Sequence, residues 1–153
     1  MLEGRHYQNA YVTRDIDRAV ADFRARADVR TVIQFDNTSE VTTPKGRESL
    51  VSRLAFIWVG NLQYELIQPV SGAEDLYASA LRADDTPAFH HICMRVDDWD
   101  SFRARVDRQS LPVVLEGGNE SLRFLYLDAR EFLGHYLEYT WMSAERWAQI
   151  GGE

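Results

Sequence analysis

The chain has 153 residues, a length that suits one compact domain with a buried hydrophobic core. Hydrophobic residues make up 45% and charged residues 27%, as in ordinary soluble globular proteins. The net charge of −7 argues against nucleic-acid binding, which usually requires a basic patch or stripe. The chain has one cysteine, Cys93, and no long apolar run. We therefore expect no internal disulfide framework, no membrane span and a cytoplasmic location.

The first half of the chain predicts several strands and one amphipathic helix. Residues 6–13 alternate weakly and contain Tyr, Val and Thr, which favour a strand. Asp15 is a plausible N-cap for a helix over 16–26, whose apolar residues recur at helical spacing. The remaining predicted elements are strands at 31–35, 49–59 and 63–68, a polar, turn-rich connection at 36–46 and a turn at Gly60-Asn61.

The second half of the chain predicts a similar succession after a linking helix over 73–82 and a polar loop over 83–87. A strand over 89–96 leads to a helix that carries Trp99, Phe102 and Val106 on one face. The later predicted elements are strands at 112–115, 122–127 and 135–141, a turn at Gly117-Gly118 and a last helical turn from Ser143 to Trp147.

The order of elements is therefore β-α-β-β-β twice, and the two halves share a spacing. Gln8 precedes Asp15 by seven residues, and His91 precedes Asp98 by seven residues. The second pair therefore lies 83 residues after the first. We predict one α+β domain over 1–153, in which two paired βαβββ modules form a curved mixed sheet with a cleft. The predicted parts are a first module at about 6–69, a linker helix within 70–88 and a second module at about 89–142.

Four side chains occupy matching places in the two modules. Gln8 and His91 lie on the first strands, and Glu65 and Glu138 lie on the last strands among apolar neighbours. A carboxylate in an apolar strand needs a partner, because burying an unpaired charge is costly. One imidazole, one amide oxygen and two carboxylates form a suitable N/O shell for a divalent metal such as Zn²⁺, Ni²⁺, Co²⁺, Mn²⁺ or Fe²⁺.

Strand alternation decides which side chains share the cleft face. It places Glu138 on one face and Leu137 on the other, and it places the adjacent His90 and His91 on opposite faces. The predicted cleft side chains are Tyr136, Glu138, Thr140, His91, Cys93 and Arg95, and those facing the helix are Leu137, Tyr139, Trp141, Ile92, Met94 and Val96.

Other assignments stay open at the level of sequence. His6 lies on the same predicted face as Gln8 and would replace it if the register differed by two residues. His90 could take the place of His91, although His91 leaves more apolar residues facing the core. Strand glutamates often serve as cross-strand partners on a solvated face. The arginines that could bind an anionic substrate, or simply form salt bridges, are Arg95, Arg123 and Arg130.

The chain resembles the vicinal-oxygen-chelate superfamily, also called the glyoxalase/bleomycin-resistance/dioxygenase fold, from about residue 6 to 142. The segments that carry the resemblance are Tyr11-Val12-Thr13-Arg14-Asp15-Ile16-Asp17, Tyr64-Glu65-Leu66-Ile67-Gln68-Pro69, His90-His91-Ile92-Cys93-Met94-Arg95-Val96-Asp97-Asp98 and Gly134-His135-Tyr136-Leu137-Glu138-Tyr139. Members of this superfamily pair two βαβββ modules around a cleft and place metal ligands on the first and last strand of each module.

The resemblance implies the metal ligands Gln8, Glu65, His91 and Glu138. This Gln-Glu-His-Glu set looks like that of zinc-dependent, eukaryotic-type glyoxalase I. Bacterial nickel-type glyoxalases and methylmalonyl-CoA epimerases have His where this chain has Gln8, yet the linker and second module look closer to the epimerase-like branch. The dioxygenase branch is less similar, because its iron site uses His where Glu65 stands.

The sequence therefore predicts a metal-dependent lyase or isomerase, glyoxalase-like or epimerase-like, that moves a proton next to a carbonyl. The metal would bind the substrate oxygen as a Lewis acid and stabilise an enediolate. Glu138 would move the proton, and Glu65 would be a ligand and a possible second acid/base.

The predicted substrate is a small carbonyl compound, such as a thiol adduct or an acyl-CoA, and the predicted assembly is a homodimer. Whether the two modules pair within one chain or across such a dimer stays open. The alternative function is a non-catalytic, drug-sequestering binding protein of the same fold, and a ring-cleaving dioxygenase is a weaker alternative.

Overall fold

The computed structural model describes residues 2–73 and 75–153 as eight strands and five short helices. The first module comprises β1 (Arg5–Val12), α1 (Ile16–Arg26), β2 (Val29–Thr43), β3 (Gly46–Val59) and β4 (Leu62–Gly72). The linker contains α2 (Asp75–Ala78). The second module comprises β5 (Ala88–Arg95), α3 (Trp99–Val106), β6 (Val113–Gly118), β7 (Leu122–Leu127), α4 (Arg130–Leu133) and β8 (Tyr136–Met142), and α5 (Ala144–Gln149) follows it.

The strands form a closed barrel in the order β1-β4-β3-β2-β6-β7-β8-β5. Each module contributes four adjacent strands in the same internal order, and in each the first strand runs parallel to the last. The modules join within one chain, through β1 antiparallel to β5 and through a short β2–β6 contact of two residue pairs. This topology confirms the predicted α+β fold of two paired βαβββ modules in a curved mixed sheet.

The two longer helices cover the outside of the sheet at equivalent places. Asp15 caps α1 by accepting a 3.0 Å hydrogen bond from the Arg18 backbone, and Asp98 caps α3 through Ser101 in the same way. The cluster between α1 and the sheet contains Ile16, Ala19, Val20, Ala55, Ile57 and Leu66, and the cluster between α3 and the sheet includes Phe102, Val106, Met94, Leu125, Leu137 and Tyr139. Since Glu65 and Glu138 neighbour residues of these two clusters in sequence, alternation turns both carboxylates towards the barrel interior.

Strand β2 is much longer than the sequence predicts. The predicted polar connection at 36–46 is wrong, because the strand continues to Thr43 and β3 begins at Gly46. The polar residues of this stretch alternate strictly in burial, and Asn37 and Ser39 line an interior cavity. Polar residues that face the cavity from this strand break the apolar alternation that identifies most strands.

The linker also differs from the predicted helix. Strand β4 continues through Pro69 to Gly72, and only Asp75–Ala78 is helical within the stretch assigned to the linking helix. Glu74, which falls in that stretch, lies outside the described residues. Among residues 2–73 and 75–153, no helix has the length and apolar character that crossing a membrane requires.

The connection between β6 and β7 is displaced from the predicted turn. Gly117 and Gly118 belong to β6, so the turn assigned to them is wrong. The Asn119 side chain makes the turn instead, because its Oδ1 accepts hydrogen bonds from the backbone N–H groups of Ser121 and Leu122, at 2.9 and 3.1 Å.

Candidate metal centre

Three of the four predicted metal ligands converge inside the barrel. Glu65 on β4, His91 on β5 and Glu138 on β8 each offer a ligand atom, and these atoms lie within 4.8 Å of one another. His91 Nε2 lies 3.0 Å from Glu138 Oε2 and 3.5 Å from Glu65 Oε2. All three residues are buried, and His91 is fully buried. The cluster therefore combines two acidic groups and one imidazole away from bulk water.

Gln8, the fourth predicted ligand, lines the same cavity from β1. Its side-chain Nε2 donates a 2.6 Å hydrogen bond to Gln63 Oε1, which fixes the direction of the amide. Its Oε1 is buried and has no hydrogen-bond partner within the described residues. The chain thus supplies a fixed, unpaired amide oxygen where the repeat predicts a ligand.

The charges in the cluster depend strongly on burial. Burial raises the pKa of the Glu65 carboxyl, and the nearby Glu138 carboxylate raises it further against the opposing effect of His91. Burial alone would lower the pKa of His91, but the hydrogen bond to Glu138 and the nearby Glu65 carboxylate outweigh it and raise this pKa to about 9. Without a metal, the protonated imidazole therefore holds the two carboxylates together.

The buried oxygens test whether a metal fits this cluster. Glu65 Oε2, like Gln8 Oε1, is buried and accepts no hydrogen bond in the described part of the chain. Buried acceptors normally have a partner, and leaving one unpaired is costly. A divalent cation among Gln8, Glu65, His91 and Glu138 would satisfy both oxygens, and their N/O donor set suits such an ion. The residues present fit a metal.

A β-bulge changes the position of His90. Tyr11 pairs with Phe89 and Ala10 pairs with His91, so His90 is the extra residue on β5. The prediction that His90 and His91 lie on opposite faces is therefore wrong. Both imidazoles are buried on the same side, with His90 Nδ1 2.8 Å from His91 Nδ1.

His90 determines which ring nitrogen of His91 faces the carboxylates. The Leu76 carbonyl accepts a 2.9 Å hydrogen bond from His90 Nε2, so the proton of the neutral His90 ring lies on that nitrogen. Burial and the neighbouring His91 lower the pKa of His90 to about 3, which keeps it neutral. His90 Nδ1 then accepts the proton of His91 Nδ1–H, and His91 Nε2 points at the carboxylates. Metal-ligating histidines commonly have such a partner on the second nitrogen.

His6 lies outside the cavity. Its side chain is exposed, and its Nε2 bonds the Asn9 side chain at 2.8 Å and the Gln8 carbonyl at 3.2 Å. A second bulge, between the pairs of His6 and Gln8 with β5, makes Tyr7 the extra residue of β1. Tyr7 and Gln8 consequently both line the cavity, where strict alternation would have placed only one of them.

The cavity beside the cluster has a volume of about 100 Å³. Tyr77 and Tyr126 join across it through a 3.0 Å hydroxyl–hydroxyl hydrogen bond, and the Tyr126 ring packs edge-on against His91. Arg146 is the one cationic side chain among the described residues that line it. The other lining residues include Tyr7, Phe35, Asn37, Ser39, Ser52, Leu54, Phe56, Leu122, Phe124, Thr140 and Met142.

The sequence does not identify Tyr126 or Arg146 as parts of this site, and it offers His90 only as an alternative ligand to His91. A tyrosine within an apolar strand, such as Tyr126, is normally interpreted as a residue of the hydrophobic core. The role of His90 depends on a β-bulge, and no feature of the sequence indicates that bulge. Arg146 lies on α5, which follows the repeat, so it has no counterpart in the first module. Cys93, predicted as a small residue of the cavity face, is fully buried with its Sγ 3.5 Å from the Tyr7 hydroxyl.

The arginines considered as anion ligands lie outside this cavity. Arg123 pairs with Asp100 at 3.4 Å, and Arg130 pairs with Asp128 at 2.7 Å. Arg95 lies on the same strand as His91, but its guanidinium stacks on Trp147 at 4.3 Å. Two of the three therefore form ordinary surface ion pairs.

Solved structures with a similar fold include methylmalonyl-CoA epimerases. The epimerase from Mycobacterium tuberculosis is 18% identical, with a TM-score of 0.69 and 97% of each chain covered. The Streptomyces coelicolor epimerase in complex with 2-nitronate-propionyl-CoA is also 18% identical, with a TM-score of 0.69 over 92% of this chain and 96% of that one. A hypothetical protein from Bacillus halodurans is 13% identical, with a TM-score of 0.63 over 91% and 94%.

These identities establish a shared fold alone. No curated protein matches the chain. The model of the Glyoxalase/Bleomycin resistance protein/Dioxygenase superfamily matches residues 7–126, which include the first three ligand positions. With the paired βαβββ modules and the buried Glu-His-Glu cluster, this match shows that the chain belongs to the Glyoxalase/Bleomycin resistance protein/Dioxygenase superfamily.

Proposed function

We propose that this chain is a metal-dependent isomerase of the epimerase type, which moves a proton on the carbon next to a substrate carbonyl. The observation that carries the proposal is the convergence of Glu65, His91 and Glu138 beside an interior cavity, which Gln8 also lines and where the Gln8 Oε1 has no hydrogen-bond partner among the described residues. The epimerase structures with the same fold support an isomerase over the glyoxalase-type lyase that the Gln8 ligand would suggest.

The four ligand residues have distinct parts in this proposal. A divalent ion held by them would polarise the substrate carbonyl oxygen as a Lewis acid. His91 would contribute Nε2, because its Nδ1 proton is engaged by His90. Gln63 would hold the Gln8 amide so that its oxygen, and not its nitrogen, faces the cavity.

The two carboxylates would act as base and acid. One would remove a proton from the substrate carbon, and the other would return one. Epimerisation removes a proton from one face of a carbon and returns one to the other face, so two acid/base groups on different sides of the substrate are useful. Glu138 and Glu65 come from equivalent strands of the two modules and flank His91. Glu138 would take the proton from one face of the carbon, and Glu65 would return one to the other face.

The cavity supports a small anionic acyl group as the reacting part of the substrate. Its volume of about 100 Å³ holds only a few heavy atoms, and the Arg146 guanidinium has no ion pair among residues 2–73 and 75–153. A substrate carboxylate would pair with this arginine, and the aromatic walls would exclude water from the reacting carbon. We therefore propose an acyl-CoA thioester with an acidic acyl group as the first substrate to test.

The direct test is solvent-deuterium exchange followed by NMR. The full-length protein, loaded in turn with Zn²⁺, Co²⁺, Ni²⁺ and Mn²⁺, is incubated in D₂O with a panel of acyl-CoA thioesters and hemithioacetals. We expect deuterium at the carbon next to the carbonyl, and loss of exchange when the metal is removed with a chelator. Exchange with no member of the panel under any metal, combined with tight binding of aromatic compounds, would contradict the proposal and favour the binding-protein alternative.

A further inference from the structure

A second cavity, of about 390 Å³, adjoins the metal cavity and differs from it in charge. The two share Tyr7 as a lining residue, so one side chain contributes to both. The other residues that line the second cavity are Arg5, Arg30, Arg95, Trp58, Trp147, Asn61 and Glu153. We refer to it as the arginine pocket. Three guanidinium groups and one carboxylate in a single pocket are unexpected in a chain whose net charge is −7.

Two of these arginines face each other across the sheet. Arg5 on β1 is the direct partner of Arg95 on β5 in the antiparallel register. Like charges directly opposite each other destabilise a sheet unless something separates or neutralises them. Arg5 is neutralised by the exposed Asp97 at 2.5 Å, but Arg95 has no ion pair or hydrogen bond within the described ranges. An anion between them would remove the repulsion.

The tryptophans hold the guanidinium groups in place. Arg95 stacks on Trp147 at 4.3 Å, and Arg30 lies over Trp58 at 5.2 Å. A guanidinium that stacks through its face keeps its N–H edge free for the two parallel hydrogen bonds that a phosphate or carboxylate accepts. Arg30 already uses its edge in this way, since it donates to the Glu153 carboxylate at 2.6 Å. The pocket is thus built to bind anions, and the edge of Arg95 remains available.

The position of Arg95 relates the arginine pocket to the metal cluster. Arg95 and His91 lie four residues apart on one strand and face the same side, as Cys93 does between them. A strand rises about 3.3 Å per residue, so their backbones are about 13 Å apart. One extended molecule could therefore reach both cavities.

We propose that the arginine pocket binds a phosphorylated nucleotide, with the phosphate between Arg95 and Arg5 and the flat base against the half-buried indole of Trp147, which lines the pocket. In this arrangement the nucleotide is the far end of the substrate whose acyl group reacts in the metal cavity. The binding site is inferred from the pocket alone, and only this link to the substrate rests on the proposed function.

The test is a titration of the full-length protein with adenosine 3′,5′-bisphosphate, adenosine and inorganic phosphate, followed by calorimetry and tryptophan fluorescence. We expect the bisphosphate to bind at least about tenfold more tightly than either fragment. Arg95→Ala should weaken its binding at least about tenfold, because a charge-assisted phosphate contact is lost. Arg95→Lys should fall between the two, since it keeps the charge but loses the planar fork.

Arg47→Ala is the matched control, because Arg47 is exposed, lines none of the cavities described above and removes the same charge. We expect it to bind the bisphosphate as the wild type does. Absence of saturable bisphosphate binding, or equal weakening by Arg47→Ala and Arg95→Ala, would overturn the proposal. Nucleotide binding without deuterium exchange would support the pocket and refute the proposed function, whereas exchange without nucleotide binding would do the reverse.

Discussion

Glu138 shows how one carboxylate becomes both a structural partner and a candidate base. Leu137 and Tyr139, its neighbours in sequence, are fully buried under α3, and this forces the Glu138 side chain to the opposite face, inside the barrel. There it accepts a 3.0 Å hydrogen bond from His91 Nε2. A group that binds a metal and moves a proton must alternate between the two tasks, and an amide can perform only the first.

We therefore predict that Glu138→Gln retains much of the bound metal but slows turnover by at least ~10², the typical contribution of a general base. Metal analysis and the deuterium-exchange assay measure the two effects separately. Glu120→Gln, at an exposed glutamate, is the control that should change neither. Turnover of Glu138→Gln near the wild-type rate would transfer the role of the base to Glu65.

Gln8 and His91 could be chosen from the sequence because they lie 83 residues apart on the two predicted first strands, and Glu65 and Glu138 because each stands among apolar residues of a predicted last strand. The residues that contact these ligand candidates could not be chosen from the sequence. Gln63 orients Gln8 through a hydrogen bond between adjacent parallel strands, and Tyr126 reaches His91 from β7. Such contacts depend on which strands are neighbours in the sheet, which a single sequence does not specify.

At the scale of the elements, the two bulges decide how the site is assembled. One makes Tyr7 the extra residue beside Gln8, and the other makes His90 the extra residue beside His91, at equivalent positions of the two modules. The helices at 16–26 and 99–106 and the strand at 122–127 follow simple apolar periods, which explains why the sequence predicts them well. The two β-bulges and the polar strand β2 break those periods, so the sequence does not predict them.

The bulge at His90 makes a specific prediction about metal affinity. His90→Leu removes the acceptor for His91 Nδ1–H and the donor to the Leu76 carbonyl, so His91 loses its fixed orientation. We expect metal affinity to fall about 10–100-fold, as for other residues that support a metal ligand. A competition titration with a chelator measures it, and circular dichroism checks the fold.

His6→Ala is the control for that variant, because His6 is exposed and lies outside the cavity. Its metal affinity should equal that of the wild type. If instead His6→Ala lost the metal and His90→Leu kept it, the register that places Gln8 and His91 in the cavity would be incorrect.

At the scale of the whole molecule, the closed barrel places the ligand cluster between the modules of a single chain. Strands β1 and β4 supply Gln8 and Glu65, and strands β5 and β8 supply His91 and Glu138. No second chain is needed to complete this cluster. The homodimer stays a prediction, which analytical ultracentrifugation tests directly.

The two carboxylates beside His91 should make metal uptake depend on pH. In the metal-free protein the pKa of His91 is raised to about 9, so below that pH its Nε2 carries a proton that a metal must displace. Protonation opposes binding, so affinity should rise with pH, by about tenfold per unit for one displaced proton. The raised pKa of Glu65 acts in the same direction, whereas His90, whose pKa is about 3, does not titrate in this range.

Metal titrations at pH 6, 7 and 8 with a competing chelator, corrected for its own protonation, measure this dependence. Proton release on metal addition to a weakly buffered solution gives an independent count. Affinity that does not change over this range would mean that His91 is neutral before the metal binds, contrary to the hydrogen bonding described above.

The metal content of the protein shows whether Gln8, Glu65, His91 and Glu138 hold a divalent ion. The full-length chain is purified without an affinity tag and analysed by elemental mass spectrometry beside His91→Ala, with circular dichroism to show that the variant is folded. We expect about one divalent ion per wild-type chain and almost none in His91→Ala, because Nε2 is the only nitrogen donor that the cluster provides. A wild-type protein that takes up no divalent metal, or a folded His91→Ala variant with undiminished metal, would contradict the account.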